Sequence, residues 1–367
     1  MSAGSWCVAH PGHGEEVAEA GLVEVGWWPL TMITTDNESF AATAKPRKKM
    51  DVLEFEIGVE IGSRAFEGTY ESSVEKALAS AKTLVANLDR RFLHSAGVKH
   101  RLGAIVVRHD PKTDPLRDAM ANNGAEGLAA FRDYWNGNPR EVGDSHDLAV
   151  AHVFSAPSGI AYVDTVGERG RYAISCGRGA TSWADGTIAH EFGHSWNLHH
   201  NNDSGLFYEA RPRQRDGASL AGGNNWHVSI MNGKGQHNIG RVSTEEAEVV
   251  WKAREKARPF GDAVKEPGPI RPFGAYDKAT CERGGSVTID VVANDFDCNN
   301  DPLDVRLLDS VSHQGGTIAL SSGTGPGGRN ELTYKAPTDI AGEDFFHYTV
   351  FDESGRSDWG AVYVTAK

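Results

Sequence analysis

The 367-residue chain is short of several things, and each shortage excludes a class of protein. Basic charge is in deficit: 37 Lys and Arg against 50 Asp and Glu leave a formal net charge of −13. Binding a phosphate backbone needs a basic footprint, so nucleic acid is excluded as a partner. No run approaches the roughly 18 apolar residues that a membrane-spanning helix requires. The opening residues MSAGSWCVAHPGHGEEVAEA have neither a basic start nor an apolar core, so no secretory signal is expected there. Cysteine is scarce, and Cys7, Cys176, Cys281 and Cys298 contain no C-x-x-C pair of the metal-knuckle kind. Cys281 and Cys298 share the distal segment and could close a short disulfide loop. Cys7 and Cys176 could pair over a longer distance, and four buried, reduced thiols fit the same count.

What is present is a foldable composition, 39% hydrophobic and 24% charged. At roughly 150 residues per domain the length suits two. Residues 1–49 read as an irregular N-terminal segment. Its basic run Lys45-Pro46-Arg47-Lys48-Lys49 is either a solvated linker or the point where a prosegment is removed. From Asp51, DVLEFEIGVEIG alternates as a strand with one covered face should. Ser72-x-x-Glu75 reads as a capping box for a helix over 72–94. Val74, Leu78, Ala81, Val85, Leu88 and Phe92 form its apolar stripe, and it ends near Gly97. A buried strand at 101–108, a helix at 127–135 and strands at 147–155, 159–166 and 172–175 complete a mixed α/β domain spanning 50–262. Within it, an Asn- and Gly-rich stretch at 201–242 precedes a helix capped by Ser243-x-x-Glu246 and ended by Pro259. Proline and glycine mark 263–272 as a linker, and short strand-like runs over 273–367 predict a small all-β sandwich.

The chemistry concentrates in TIAHEFGHSWNLHH, residues 187–200. His190 and His194 are four apart, so on a helix they share one face a turn apart and can bind one zinc ion. Glu191, beside the first ligand, is placed to take a proton from a water activated by that metal. His200 supplies the third ligand if the helix ends soon after His194 and the chain turns back. Asn197 permits the turn, because asparagine tolerates positive φ better than most residues. With 15 histidines in 367 residues, H-E-x-x-H arises by accident in roughly one chain in twenty-five. A further histidine at the tenth position lowers that to about one in several hundred. His199 reads as a neighbour of the site rather than a ligand.

HEFGHSWNLHH resembles the metzincin zinc motif H-E-x-x-H-x-x-G-x-x-H, with Asn197 where the family has glycine. Val228-Ser229-Ile230-Met231-Asn232 resembles the family's Met-turn, which would set Met231 beneath the metal. Gly233 stands where astacins and serralysins carry a tyrosine ligand, so the adamalysin (reprolysin) branch is the nearer likeness. GIAYVDTVG, YAIS and TIAHEFGH are similar to its edge strand, next strand and active-site helix, and the likeness covers roughly 50–260. It implies a zincin fold, a twisted mixed sheet with an active-site helix, and a secreted zinc endopeptidase acting on extracellular proteins or peptides. It also implies that an extended substrate pairs with Ile160, Ala161, Tyr162 and Val163 by β-augmentation. The tetrahedral oxyanion would be stabilised by the metal, and Glu191 would pass its proton to the leaving amine. Cys7, upstream of the basic run, lies where a prosegment cysteine switch would, although SWCVAHPGHG does not match the usual switch motifs.

The distal runs DVVANDFDCNNDPLDV, GGTIAL, ELTYKAP, GEDFFHYTVFDESG and AVYVT resemble bacterial cadherin-like/Ig-like repeats of secreted and surface proteins. Asn294, Asp295, Asp297, Asn299, Asp301 and Asp304 offer the oxygen ligands that Ca²⁺ prefers, or are turn-forming Asx residues with no ion. Two rival functions stay open. One is an adhesin or carbohydrate- or protein-binding module with a structural or vestigial metal site. The other is a glycoprotein-specific metalloprotease guided by carbohydrate contacts of the β-domain.

Overall fold

The computed structural model describes residues 6–9, 50–121, 124–154, 158–176, 186–200, 209–210, 226–227, 230–231, 242–340 and 342–367. They fall into two compact units: Met1–Glu24, Val52–Phe207 and Val228–Lys265 form one, and Val25–Asp51, Tyr208–His227 and Glu266–Lys367 the other. Among the described residues no helix is long and apolar enough to cross a membrane.

The first unit is mixed α/β. Its sheet contains β1 (Trp6–Ala9), β2 (Val52–Ile61), β3 (Val98–Val107), β4 (Leu148–Val153), β5 (Ser158–Tyr162) and β6 (Tyr172–Cys176). They lie in the order β1-β5-β6-β4-β2-β3. β2 runs parallel to β3 and β4, and β4 parallel to β6. Direction then reverses, with β5 antiparallel to β6 and β1 antiparallel to β5. The expectation of one covered face on β2 is corrected, since nearly the whole strand is buried. It lies between β4 and β3 in the sheet, and acidic residues that suggested a wet face are held by basic residues of β3 and just after it. Glu56 pairs with Arg101, and Arg108 Nε lies 2.6 Å from Glu60 Oε1. β3, expected to be buried, is for the most part only half-buried.

The short helix α1 (Ser63–Gly68) leads to α2 (Val74–Ala96), which closes as expected on Gly97 in the left-handed region at φ 65°. The start differs by one residue: Ser73, not Ser72, caps it by accepting from the Lys76 amide. Its buried face is correspondingly Ala77, Ala81, Leu84, Leu88 and Phe92, while Val74 and Leu78 are exposed. Helices α3 (Ala125–Gly137) and α4 (Pro139–Val142) follow, and α3 packs Leu128, Phe131 and Trp135 onto Ile160, Tyr172 and Ile174 of the sheet. Two more helices are α5 (Thr187–Ser195) and α6 (Thr244–Ala257). The expected Ser243/Glu246 capping box on α6 is present in both directions.

The second unit holds a two-stranded pair, β7 (Glu209–Ala210) with β8 (Trp226–His227), and a seven-stranded all-β region. Before that region, β9 (Asp262–Val264) returns to the first unit and pairs with Val52–Glu54, so residues 263 and 264 of the expected linker belong to a sheet. One sheet is β10 (Tyr276–Cys281), β16 (Ser357–Ala366), β15 (Glu343–Asp352) and β12 (Leu303–Leu307). The other is β11 (Ser286–Ile289), β14 (Glu331–Lys335) and β13 (Thr317–Ser321). Ile289, Val305, Ile318, Leu332, Phe346, Val350 and Val362 are among the residues that fill the core. β11 ends at Ile289, because Val291–Ala293 coils into a 3₁₀ turn.

The expected Cys281–Cys298 disulfide is not formed, and both cysteines are buried. The Asn294 side chain donates to the Tyr276 carbonyl at the start of β10, while Cys281 ends that strand, roughly 16 Å further on at 3.3 Å per residue. Cys298 follows Asn294 by only four residues, and a disulfide needs Cα atoms within about 7 Å. Burial accordingly pushes the Cys281 thiol pKa up.

Candidate metal centre

α5 is only nine residues long, and from Ile188 to Ser195 every side chain is buried. Its end is built from the sequence that follows. Asn197 adopts φ 69°, and the amides of Asn197 and Leu198 donate to the carbonyls of His194 and Gly193. That reversal, foreseen at Asn197, brings residue 200 back to the helix. Nε2 of His190 lies 2.9 Å from Nε2 of His200 and 3.1 Å from Nε2 of His194, and the third side of the triangle is 3.2 Å.

Three facing nitrogens need a reason to be so close. His190 Nδ1 donates to the Ile230 carbonyl and His194 Nδ1 to the Leu198 carbonyl, each at 2.7 Å. With the ring proton spent on Nδ1, Nε2 is an acceptor in both rings. Bare lone pairs pointed at one another repel unless a cation lies between them. Tetrahedral zinc bonds of about 2.0–2.1 Å would set three nitrogens roughly 3.3 Å apart, close to the triangle observed. The residues present therefore fit the metal, and the two carbonyls orient the imidazoles in the way such ligands are commonly held.

Glu191 is fully buried, and neither carboxylate oxygen has a hydrogen-bond partner among the described residues. Burial pushes its carboxyl well above the usual carboxylate range. Met231 is fully buried as well. A Cβ built on Gly193 would sit 2.5 Å from the Met231 sulfur, so the methionine lies directly against the helix that bears His190 and His194. His199 is exposed.

The predicted substrate residues Ile160, Ala161 and Tyr162 lie on β5, while Val163 falls just past it. β5 is not an edge strand among the described residues. β1 pairs with it in antiparallel register, Cys7 opposite Ala161 and Val8 opposite Ile160. Residues 1–49, expected to be irregular, thus contribute a strand. The Cys7 side chain, the basic run 45–49 and nearly all of the stretch 201–242 lie outside the described residues.

Sequence reasoning passed over Gly159. A Cβ there would stand 2.2 Å from Glu191 Oε1, so β5 approaches the glutamate more closely than any side chain allows. A glycine inside a strand pattern was the available signal. The Ile230 and Leu198 carbonyls left no trace in the sequence, because every residue carries one.

In the second unit the expected calcium ligands separate. Asp295 Oδ1 accepts from the Ala275 amide, and Asn299 Oδ1 from the Ile270 amide. Asn294, as noted, holds Tyr276, and Asp304 is bonded to Asn330. Asp297 and Asp301 do converge, and the residue that joins them is Asp352, fifty-one positions away.

Residues 63–243 match the family model described as metallo-peptidase family M12, and residues 269–365 match that of a bacterial Ig domain. The chain thus carries an M12 metallopeptidase domain followed by a bacterial Ig domain. No curated protein matches it. Among solved structures, a chaperone–substrate complex is similar at 15% identity over 58% of this chain and 36% of that one, with a TM-score of 0.37. An endo-fucoidan hydrolase from glycoside hydrolase family 107 is similar at 15% identity over 28% and 14%, with a TM-score of 0.21. A nucleoside hydrolase-related hypothetical protein from Saccharophagus degradans is similar at 9% identity over 86% and 100%, with a TM-score of 0.29. The chain thus spans about a third of the first of these and a seventh of the second.

Proposed function

We propose that the chain is a secreted or surface-displayed zinc endopeptidase with a zincin-type catalytic domain, acting on extended polypeptide. The observation that carries this reading is the convergence of three imidazole Nε2 atoms within 3.2 Å of one another, two of them on a buried helix that also bears a glutamate with no hydrogen-bond partner among the described residues. His190, His194 and His200 are the ligands. When bound, zinc supplies Lewis acidity, polarising a carbonyl and lowering the pKa of a water towards about 7.

The chain's own residues do the rest. Glu191 takes the proton of the attacking water as general base and returns it to the departing amine. Its buried, solvent-free carboxyl suits proton shuttling, because nothing else competes for the oxygens. Once β1 gives up its place, β5 holds the substrate backbone by main-chain hydrogen bonds, and Gly159 clears the space in which Glu191 reaches it. The antiparallel pairing of β1 with β5 supports this mode, since it is the arrangement an added peptide strand would make.

The test is Glu191→Gln. The variant should retain stoichiometric zinc while kcat on a peptide library falls by about 10²–10⁴-fold. Undiminished cleavage would remove Glu191 from the mechanism.

A further inference from the structure

From the side chains that meet at the end of β5, we propose that Tyr162 and Arg132 form a subsite for an acidic side chain of the substrate. The enzyme then favours glutamate or aspartate at the single position that pairs with Tyr162. This rests on the reading of β5 as the strand that holds the peptide.

The ladder defines that position. Tyr162 is the last residue of β5, and Trp6 of β1 is its antiparallel partner. A peptide that takes the place of β1 therefore sets one residue opposite Tyr162. Directly opposed residues project to the same face of a sheet, with Cβ atoms about 4.5–5.5 Å apart. Tyr162 lies on the face covered by α3, in the cluster that holds Leu128 and Phe131 of that helix. Gly159 is an odd number of residues away and faces the other side, where Glu191 stands. The opposed side chain of the substrate thus points towards α3 and away from Glu191, which makes its position one that selects sequence.

On α3 it meets Arg132, whose side chain is 32% exposed. Arg132 Nη1 donates to the Tyr162 hydroxyl at 2.7 Å, and its guanidinium carbon lies 5.3 Å from the centre of the ring. Nε donates to Asp133 Oδ1 at 2.8 Å, and the remaining N–H groups have no acceptor among the described residues. The Tyr162 hydroxyl accepts from Arg132 and keeps its own proton, since burial raises its pKa. Guanidinium and hydroxyl donors are thus left for a carboxylate, which a guanidinium fork binds through two parallel hydrogen bonds. Asp133 does not cancel the charge, because Arg169 acts on the same carboxylate and two cations share one anion. The chain as a whole carries −13, so an acid preferred at this position is drawn by the subsite and not by net charge.

The probe is a fixed peptide carrying glutamate at successive positions, each compared with its glutamine twin. kcat/KM is measured on the zinc-loaded full chain, and Kd on zinc-loaded Glu191→Gln, which reads binding without turnover. Glutamate should be preferred about tenfold at one position, with a ratio near one elsewhere. Arg132→Gln should bring that ratio to about one, and Arg132→Glu should turn the preference towards lysine. Tyr162→Phe should reduce it part of the way. Equal handling of every glutamate and glutamine pair in both assays overturns the proposal. So does an unchanged ratio in Arg132→Gln, or a preference spread evenly over all positions. The endopeptidase reading fails separately: no peptide would be cut, while Glu191→Gln would still bind the glutamate peptide more tightly through Arg132.

Discussion

At the scale of single residues, the site depends on atoms that are missing as much as on those present. Gly159 lacks the Cβ that would collide with Glu191. Gly159→Ala should therefore push β5 or the glutamate aside by a fraction of an ångström. Misplacement of that order can lower turnover about 10²-fold, so kcat/KM should fall by roughly that factor while zinc content and circular dichroism stay unchanged. A second residue-level pair governs pH response. Burial, with a contribution from Arg171, lowers the His146 pKa to about 4. Between there and its unfolded value near 6.5, the unfolded chain binds the proton more tightly, so stability is lost as pH falls. Burial raises Asp147 to about 6, and here the native state binds the proton more tightly, so stability is lost as pH rises from about 4 to 6. The two slopes oppose each other in the wild type. Asp147→Asn keeps an acceptor for the Glu56 amide and exposes the histidine slope. Its stability should drop by roughly 3 kcal/mol between pH 6.5 and 4, whereas a flat unfolding profile would contradict the assignment.

At the scale of elements, the decisive ones are a helix that stops early and a strand that arrives from far away. The end of α5 was legible because Asn197 is the residue type that tolerates left-handed backbone, and it takes φ 69°. The one-residue slip at the start of α2 was not. Ser72 and Ser73 are equally good caps, and only the chain reversal through Glu71 and Ser72 at φ 51° and 58° decides between them. β1 was invisible for a related reason: WCVA has no periodicity to mark it, and its partner is some 150 residues away. If β1 lies where substrate must lie, weakening it should help the enzyme. Alternate residues of an antiparallel strand donate across the ladder, so Cys7→Pro with Val8→Pro removes a donor whichever of the two faces β5, and kcat/KM for a short peptide should rise about tenfold, since a tethered competitor acts at millimolar effective concentration. Unaltered kinetics would mean that substrate binds elsewhere.

At the scale of the whole molecule, each of the two units has hydrophobic core of its own among the described residues, the first including Phe131, Trp135 and Tyr172 and the second Leu332, Phe346 and Val362. Scanning calorimetry should accordingly resolve two transitions. Stripping zinc should lower the one belonging to the α/β unit and leave the Ig transition in place, because each ion stabilises only the fold that binds it. A single transition, or one that zinc does not move, would contradict this. The sequence by itself determined the histidine trio and the glutamate beside it, the capped and terminated helices, and the all-β character of the distal region. Each is set by neighbours within about ten positions, where helix period, turn chemistry and strand alternation act locally. Tertiary structure alone decided that Gly159 faces Glu191, that β1 joins β5, that Asp352 completes the acidic cluster and that Cys281 and Cys298 stay apart. Those contacts are made by strand register between segments distant in the chain, and register depends on how whole sheets pack.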